Sequence, residues 1–140
     1  MKTSGRLTLQ TIQGTGLRFG ARFDSGRITT FDGSRDAVAA NPIETLLGAL
    51  AACGGMDVIS ILRKKRLEVT SYEIEVEGER AEEHPRRYTS ITMVHRIKGH
   101  GIPLASVAEA VELSELKYCS VHHTLDPAMP ITSRIEVTEG

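Results

Sequence analysis

Two thiols and a pair of adjacent histidines are the residues of this chain best suited to chemistry. Cys53 lies in the apolar run ALAACGGMDVISIL, residues 49–62, and Cys119 lies in SELKYCSVHHTL, residues 114–125, just before His122 and His123. A thiol becomes nucleophilic where positive charge or a helix N-terminus favours its thiolate. Cys53 falls deep inside an expected helix, where the dipole offers it little. Asp57 follows one turn later on the same face, and a carboxylate there opposes thiolate formation. Activation of Cys53 therefore needs a cation from elsewhere, and Arg18, Arg22, Arg27 and Arg35 are the N-terminal supply. Cys119, with Lys117 and two histidines beside it, reads as the more acidic thiol. The alternative for both is a buried thiol acting as a small hydrophobe.

Zinc held by Cys53, Cys119, His122 and His123 gains little support from spacing. Neither cysteine belongs to a CxxC pair, and adjacent histidines rarely both reach one ion. His84 and His100 fall in polar turns, and His95 suits an interior position. GTGLRFG lacks the strand–loop–helix setting and GK[ST] of a phosphate loop, and no GxSxG or HExxH occurs. Gly54 and Gly55, directly after Cys53, each cost a helix interior about 1 kcal/mol relative to alanine. Two uses would offset that cost: open access to the sulfur, or close packing of another element.

The elements that must position these residues follow from periodicity. RLTLQTI, GLRFGARF and RITTFDG alternate polar and apolar residues between glycine-bearing turns, which predicts a meander of short strands. NPIE at residues 41–44 has the form of a capping box, with Pro42 at the first helical position. A long helix over residues 41–65 follows, ending in RKKR at the negative end of its dipole. Its stretch from Leu46 to Ala52 is wholly apolar or glycine, which predicts enclosure on all sides. TSYEIEVEGER then puts Tyr72, Ile74 and Val76 on one strand face and Glu73, Glu75 and Glu77 on the other. RRYTSITMVHRIKG supplies a second strand whose Arg96 and Lys98 suit those glutamates across a ladder. The acidic row is thus assigned to strand pairing, not to a metal. A second helix spans residues 103–117, with Val107, Ala110, Val111 and Leu113 at helical spacing. A short helical turn and a final strand, ITSRIEV, complete an α+β order, β-β-β-α-β-β-α-β.

The 140 residues suit a single domain, 1–140, with one core. Lys and Arg number 17 against 18 Asp and Glu, so no net field draws the chain to nucleic acid or an anionic membrane. Aromatic residues make up only 4%, too few for base-stacking platforms. No basic segment followed by an apolar run marks a secretory leader. No stretch reaches the roughly 18 consecutive apolar residues of a membrane span. A cytoplasmic location is expected, where thiols stay reduced and a permanent structural disulfide is disfavoured.

With both cysteine neighbourhoods described, NPIETLLGALAACGGMDV and SELKYCSVHHTL resemble the OsmC/Ohr family (osmotically induced protein C and organic hydroperoxide resistance proteins). The strand order between them fits as well, so the resemblance covers nearly the whole chain. It implies an OsmC-like fold and an intertwined homodimer with sites at the subunit interface. It further implies a cysteine peroxidase of organic hydroperoxides, with Cys53 attacking the peroxide and Cys119 closing a disulfide onto the resulting sulfenic acid. No bound cofactor is implied; recycling would use an external dithiol such as dihydrolipoamide on a lipoylated protein. TGLR resembles the family's arginine-bearing segment, which makes Arg18 the activating cation and Arg35 the reserve.

Two departures mark the sequence. The family's catalytic glutamate directly follows the proline, where Ile43 stands here; Glu44 comes one place later, rotated by roughly 100° on a helix. Glu44 is therefore a candidate both for the site and for the helix cap. The family's later Cys-Pro is Cys119-Ser120 here, which sets the chain nearer the broad OsmC-like branch. An OsmC-like protein that binds a small molecule or thiol ligand without peroxidase activity is the alternative.

Overall fold

The computed structural model describes all 140 residues. It divides into two compact units, Met1–Leu46 and Leu47–Gly140. In the first, β1 (Gly5–Leu9), β2 (Arg18–Phe23) and β3 (Ile28–Asp32) form an antiparallel meander in that order, as the alternating segments predict.

The helix α1 spans Pro42–Lys64. Its start is a reciprocal capping box: the Asn41 amide donates to Glu44 Oε2 at 3.0 Å, and the Glu44 amide donates to Asn41 Oδ1 at 2.9 Å. Its end is a Schellman turn, in which the Leu67 amide reaches the Leu62 carbonyl and the Arg66 amide the Arg63 carbonyl. Arg66 occupies the left-handed position with φ 58°, where glycine is the usual residue. By length and composition α1 also matches a membrane span, as core helices of globular proteins do. Leu50, Val58 and Leu62 bury its inner side.

In the second unit, β4 (Glu68–Arg80) pairs antiparallel with β5 (Tyr88–His100), and β5 pairs parallel with β6 (Ile131–Glu139). The parallel pair needs a crossover, supplied by α2 (Leu104–Leu113), a π-helical turn (Ser114–Tyr118) and the short α3 (Ser120–Thr124). The core joins Val58 and Leu62 of α1 to Ile97 of β5 and to Val107, Ala110 and Val111 of α2. The expected cross-strand charge pairing is present: Arg96 lies 3.5 Å from Glu73, 2.6 Å from Glu75 and 2.9 Å from Glu136. The acidic row is ladder chemistry.

Two expectations need correction. The second helix does not run evenly over residues 103–117; its α-helical part stops at Leu113 and the remainder widens into the π turn. Nor is the segment from Leu46 to Ala52 enclosed on all sides. Gly48, Ala49 and Ala52 are exposed, as is Met56 one turn beyond, because the sheet and α2 cover one side of a helix and leave the other bare. Packing accounts for Gly55 and not for Gly54. A Cβ on Gly55 would stand 2.7 Å from Ile74 Cδ1 of β4, whereas one on Gly54 would meet Ser114 Oγ at an ordinary 3.8 Å.

His95 is buried on β5, two residues along from Tyr72's direct partner Ile97. The Tyr72 hydroxyl and His95 Nδ1 lie 2.6 Å apart, while Nε2 has no partner within the protein. Burial lowers the His95 pKa and raises that of Tyr72, so both are neutral in the fold. A histidine with a depressed folded pKa contributes fully above its unfolded value of about 6.5, and that contribution is lost as pH falls below it. The urea midpoint should therefore drop between pH 7.5 and 5.5, and the drop should shrink in His95→Gln; an equal drop in both proteins contradicts this. Arg66→Gly should raise stability by about 1 kcal/mol by removing the left-handed strain. Equilibrium denaturation measures it, and a lowered midpoint would count against the strain.

Candidate functional site

Helical spacing puts Cys53 and Asp57 one turn apart on one side of α1, at the border between its buried and bare faces; both are half-buried. Opposite them, the apolar stripe of α2 (Val107, Ala110, Val111) reaches its next helical position at Ser114, which is 2% exposed. Ser114 is bound twice. Its hydroxyl donates to Asp57 Oδ2 at 2.8 Å, and its carbonyl accepts the Cys119 amide at 2.8 Å, the five-residue bond of the π turn.

That turn delivers Cys119 to the same place. The sulfurs of Cys53 and Cys119 and a carboxylate oxygen of Asp57 all lie within 4.8 Å of one another. Both thiols are free, Cys53 half-buried and Cys119 2% exposed. Cys119 caps α3, and its Sγ accepts the His122 amide at 3.4 Å. Burial pushes the Cys119 thiol up to about 11; the His122 amide opposes this, while Cys53 and Asp57 add to it. The expectation that its neighbours make Cys119 an acidic thiol is thus overturned. Lys117 lies 5.2 Å over the exposed Tyr118 ring, and desolvation outweighs what the local sequence offers.

The zinc set does not assemble as the sequence offered it, since neither His122 nor His123 belongs to the cluster of donor atoms. Three donors also fall short of the four of a closed structural zinc site. Beside Cys119 is a cavity of about 10 Å³, lined in part by His95, Ser114, Glu115 and His122. That is room for about one water. The much larger concavity of about 710 Å³ lies over β1–β3 and is lined by no cysteine or histidine.

Glu44, a candidate for both site and cap, is engaged in the capping box. Arg18 opens β2, opposite Asp32 in the β2–β3 register. Asp32 is held below the usual carboxylate range by the Ser34 side chain and amide and the Val38 amide, with a smaller contribution from Arg18. Ser114 is the residue that sequence reasoning missed. Its signal was its place in the apolar stripe of α2, where a polar residue must find a partner.

The chain matches the OsmC-like protein family over residues 32–134. It is 40% identical over 122 residues to Protein YhfA of Escherichia coli K12, covering 87% of this chain and 91% of that protein. The crystal structure of a hypothetical protein from Aquifex aeolicus VF5 superposes with a TM-score of 0.86 at 29% identity, covering 100% of this chain and 98% of the other. An organic hydroperoxide resistance protein OsmC from Legionella pneumophila shares the fold at a TM-score of 0.61 and 13% identity, over 99% of this chain and 97% of the other. The paired cysteines thus stand on a known scaffold: this chain belongs to the OsmC-like protein family.

Proposed function

We propose that the chain is a thiol peroxidase that reduces organic hydroperoxides. The observation that carries this reading is the cysteine pair itself: a half-buried thiol and a buried one whose sulfurs lie within 4.8 Å. The more accessible Cys53 is the attacking residue. Its thiolate takes the terminal peroxide oxygen, the O–O bond breaks, and the alkoxide leaves as an alcohol after protonation. Cys53 is then a sulfenic acid. The buried Cys119 attacks that sulfur, forming a disulfide and releasing water. A disulfide requires Cα atoms roughly 4.4–6.8 Å apart, a modest demand on sulfurs already this close. An external dithiol, such as dihydrolipoamide on a lipoylated protein, then exchanges with the disulfide and restores both thiols.

Arg18 is the cation assigned to favour the Cys53 thiolate and orient the peroxide. Glu44, already the helix cap, is the candidate to orient that arginine. The working unit is a homodimer. Its support is the bare apolar side of α1, with Leu46 and Met56 36% and 68% exposed, and the apolar residues Leu7 and Ile28 open on the N-terminal sheet. A second copy would cover these surfaces. A reduced thiol pair of this kind fits the cytoplasm, and the peroxidase reading agrees with the hydroperoxide resistance named for the Legionella protein that shares the fold.

A second reading is an OsmC-like protein that binds a small molecule or thiol ligand and turns over no peroxide. The Asp57 carboxylate beside the thiols and the engagement of Glu44 as a cap favour it. Intact-mass spectrometry after one equivalent of cumene hydroperoxide separates the two. The peroxidase reading predicts a Cys53–Cys119 disulfide in the wild type and one added oxygen on Cys53 in Cys119→Ser. Unchanged mass in both proteins sinks it and leaves ligand binding.

A further inference from the structure

We infer that Asp57 is the proton shuttle of the disulfide-forming step, carrying the Cys119 proton to the hydroxyl that leaves Cys53. The inference rests on the peroxidase reading and concerns its second half-reaction. Its ground is geometric: one carboxylate oxygen lies within 4.8 Å of both sulfurs, and Ser114 holds the carboxylate in place through a 2.8 Å hydrogen bond. Condensation has two needs that the cysteines alone do not meet. A buried thiol must lose its proton, and a hydroxide must gain one to leave as water.

A single carboxylate between the two sulfurs serves both needs. Cys119 sulfur bonds to Cys53 sulfur as its proton passes to Asp57. The S–O bond of the sulfenic acid breaks, and the departing hydroxyl takes the proton. The disulfide and one water result, and Asp57 is again a carboxylate. The sulfenic sulfur is reduced, the Cys119 sulfur is oxidised, and no further oxidant is required. A carboxylate beside a nucleophilic thiol otherwise only hinders thiolate formation. As a shuttle it has a use.

The other titratable groups around Cys119 are less well disposed. Glu115, on the π turn, accepts a hydrogen bond from Ser133 Oγ. His122 contributes its backbone amide to the sulfur. His95, across the small cavity, is held through Nδ1 by Tyr72. Asp57 is the ionisable carboxylate grouped with both sulfurs.

Asp57→Asn is nearly isosteric and keeps an acceptor for Ser114, and comparing two leaving groups separates shuttle from charge. In the first reaction, excess hydrogen peroxide converts Cys53 to the sulfenic acid, and disulfide formation is followed by quenched mass spectrometry. In the second, Cys53 carries thionitrobenzoate as a mixed disulfide, and Cys119 displaces a thiolate that needs no proton. The shuttle predicts that Asp57→Asn slows the first reaction on the order of a hundredfold at pH 7. The second should slow far less, because it loses only the acceptor of the Cys119 proton while its leaving thiolate needs no proton. Asp57→Glu should recover part of the first rate. Equal slowing of both reactions, or of neither, overturns the inference. Absence of both a disulfide in the wild type and a sulfenic acid on Cys53 in Cys119→Ser would instead overturn the peroxidase reading beneath it.

Discussion

The arrangement of the site depends on one buried serine. Ser114 ends the apolar stripe of α2 and is 2% exposed, so each of its polar atoms must find a partner within the protein. Its hydroxyl reaches Asp57 on α1 and its carbonyl reaches the Cys119 amide. Leaving a buried hydroxyl unpaired costs about 1–3 kcal/mol, which is enough to fix the choice of partner. The backbone of the same residue closes the π turn that leads to Cys119. Single π turns inside or at the end of α-helices often occur at functional sites.

Burial then sets the two thiols apart. Cys119 is pushed up to about 11, which favours its protonated form at neutral pH. Cys53, half-buried on the border of α1, is the thiol a reagent can reach. Around them the helix fits tightly, with Gly55 admitting Ile74 of β4 and Gly54 facing Ser114. Gly55, which looks like a weakness in a helix, is the price of bringing β4 close against α1.

Much of this was legible in the residues. The NPIE capping box, the alternation of β4 and the match between its glutamates and Arg96 are local signals, and local hydrogen bonds and ladder pairs realise them. The strand and helix order followed from the same periodicities. What escaped was set by tertiary burial. The acidity of Cys119 was misjudged because Lys117 and the histidines are near in sequence, whereas desolvation is decided by the fold. Ser114 passed as an ordinary helix residue, since its importance depends on α1 standing opposite. An apolar run such as residues 46–52 does not show which of its sides the sheet and α2 will cover.

The central claim is that Cys53 and Cys119 act as one redox couple. Its most direct test is to equilibrate the purified protein in buffers of graded dihydrolipoamide and lipoamide, quench with an alkylating agent, and quantify both thiols by peptide mass spectrometry. The account predicts that both thiols disappear together along one two-electron curve, with a slope of about 30 mV per decade and the Cys53–Cys119 bridge as the oxidised product. Independent titration of the two thiols, or persistence of both across the whole range, would contradict it.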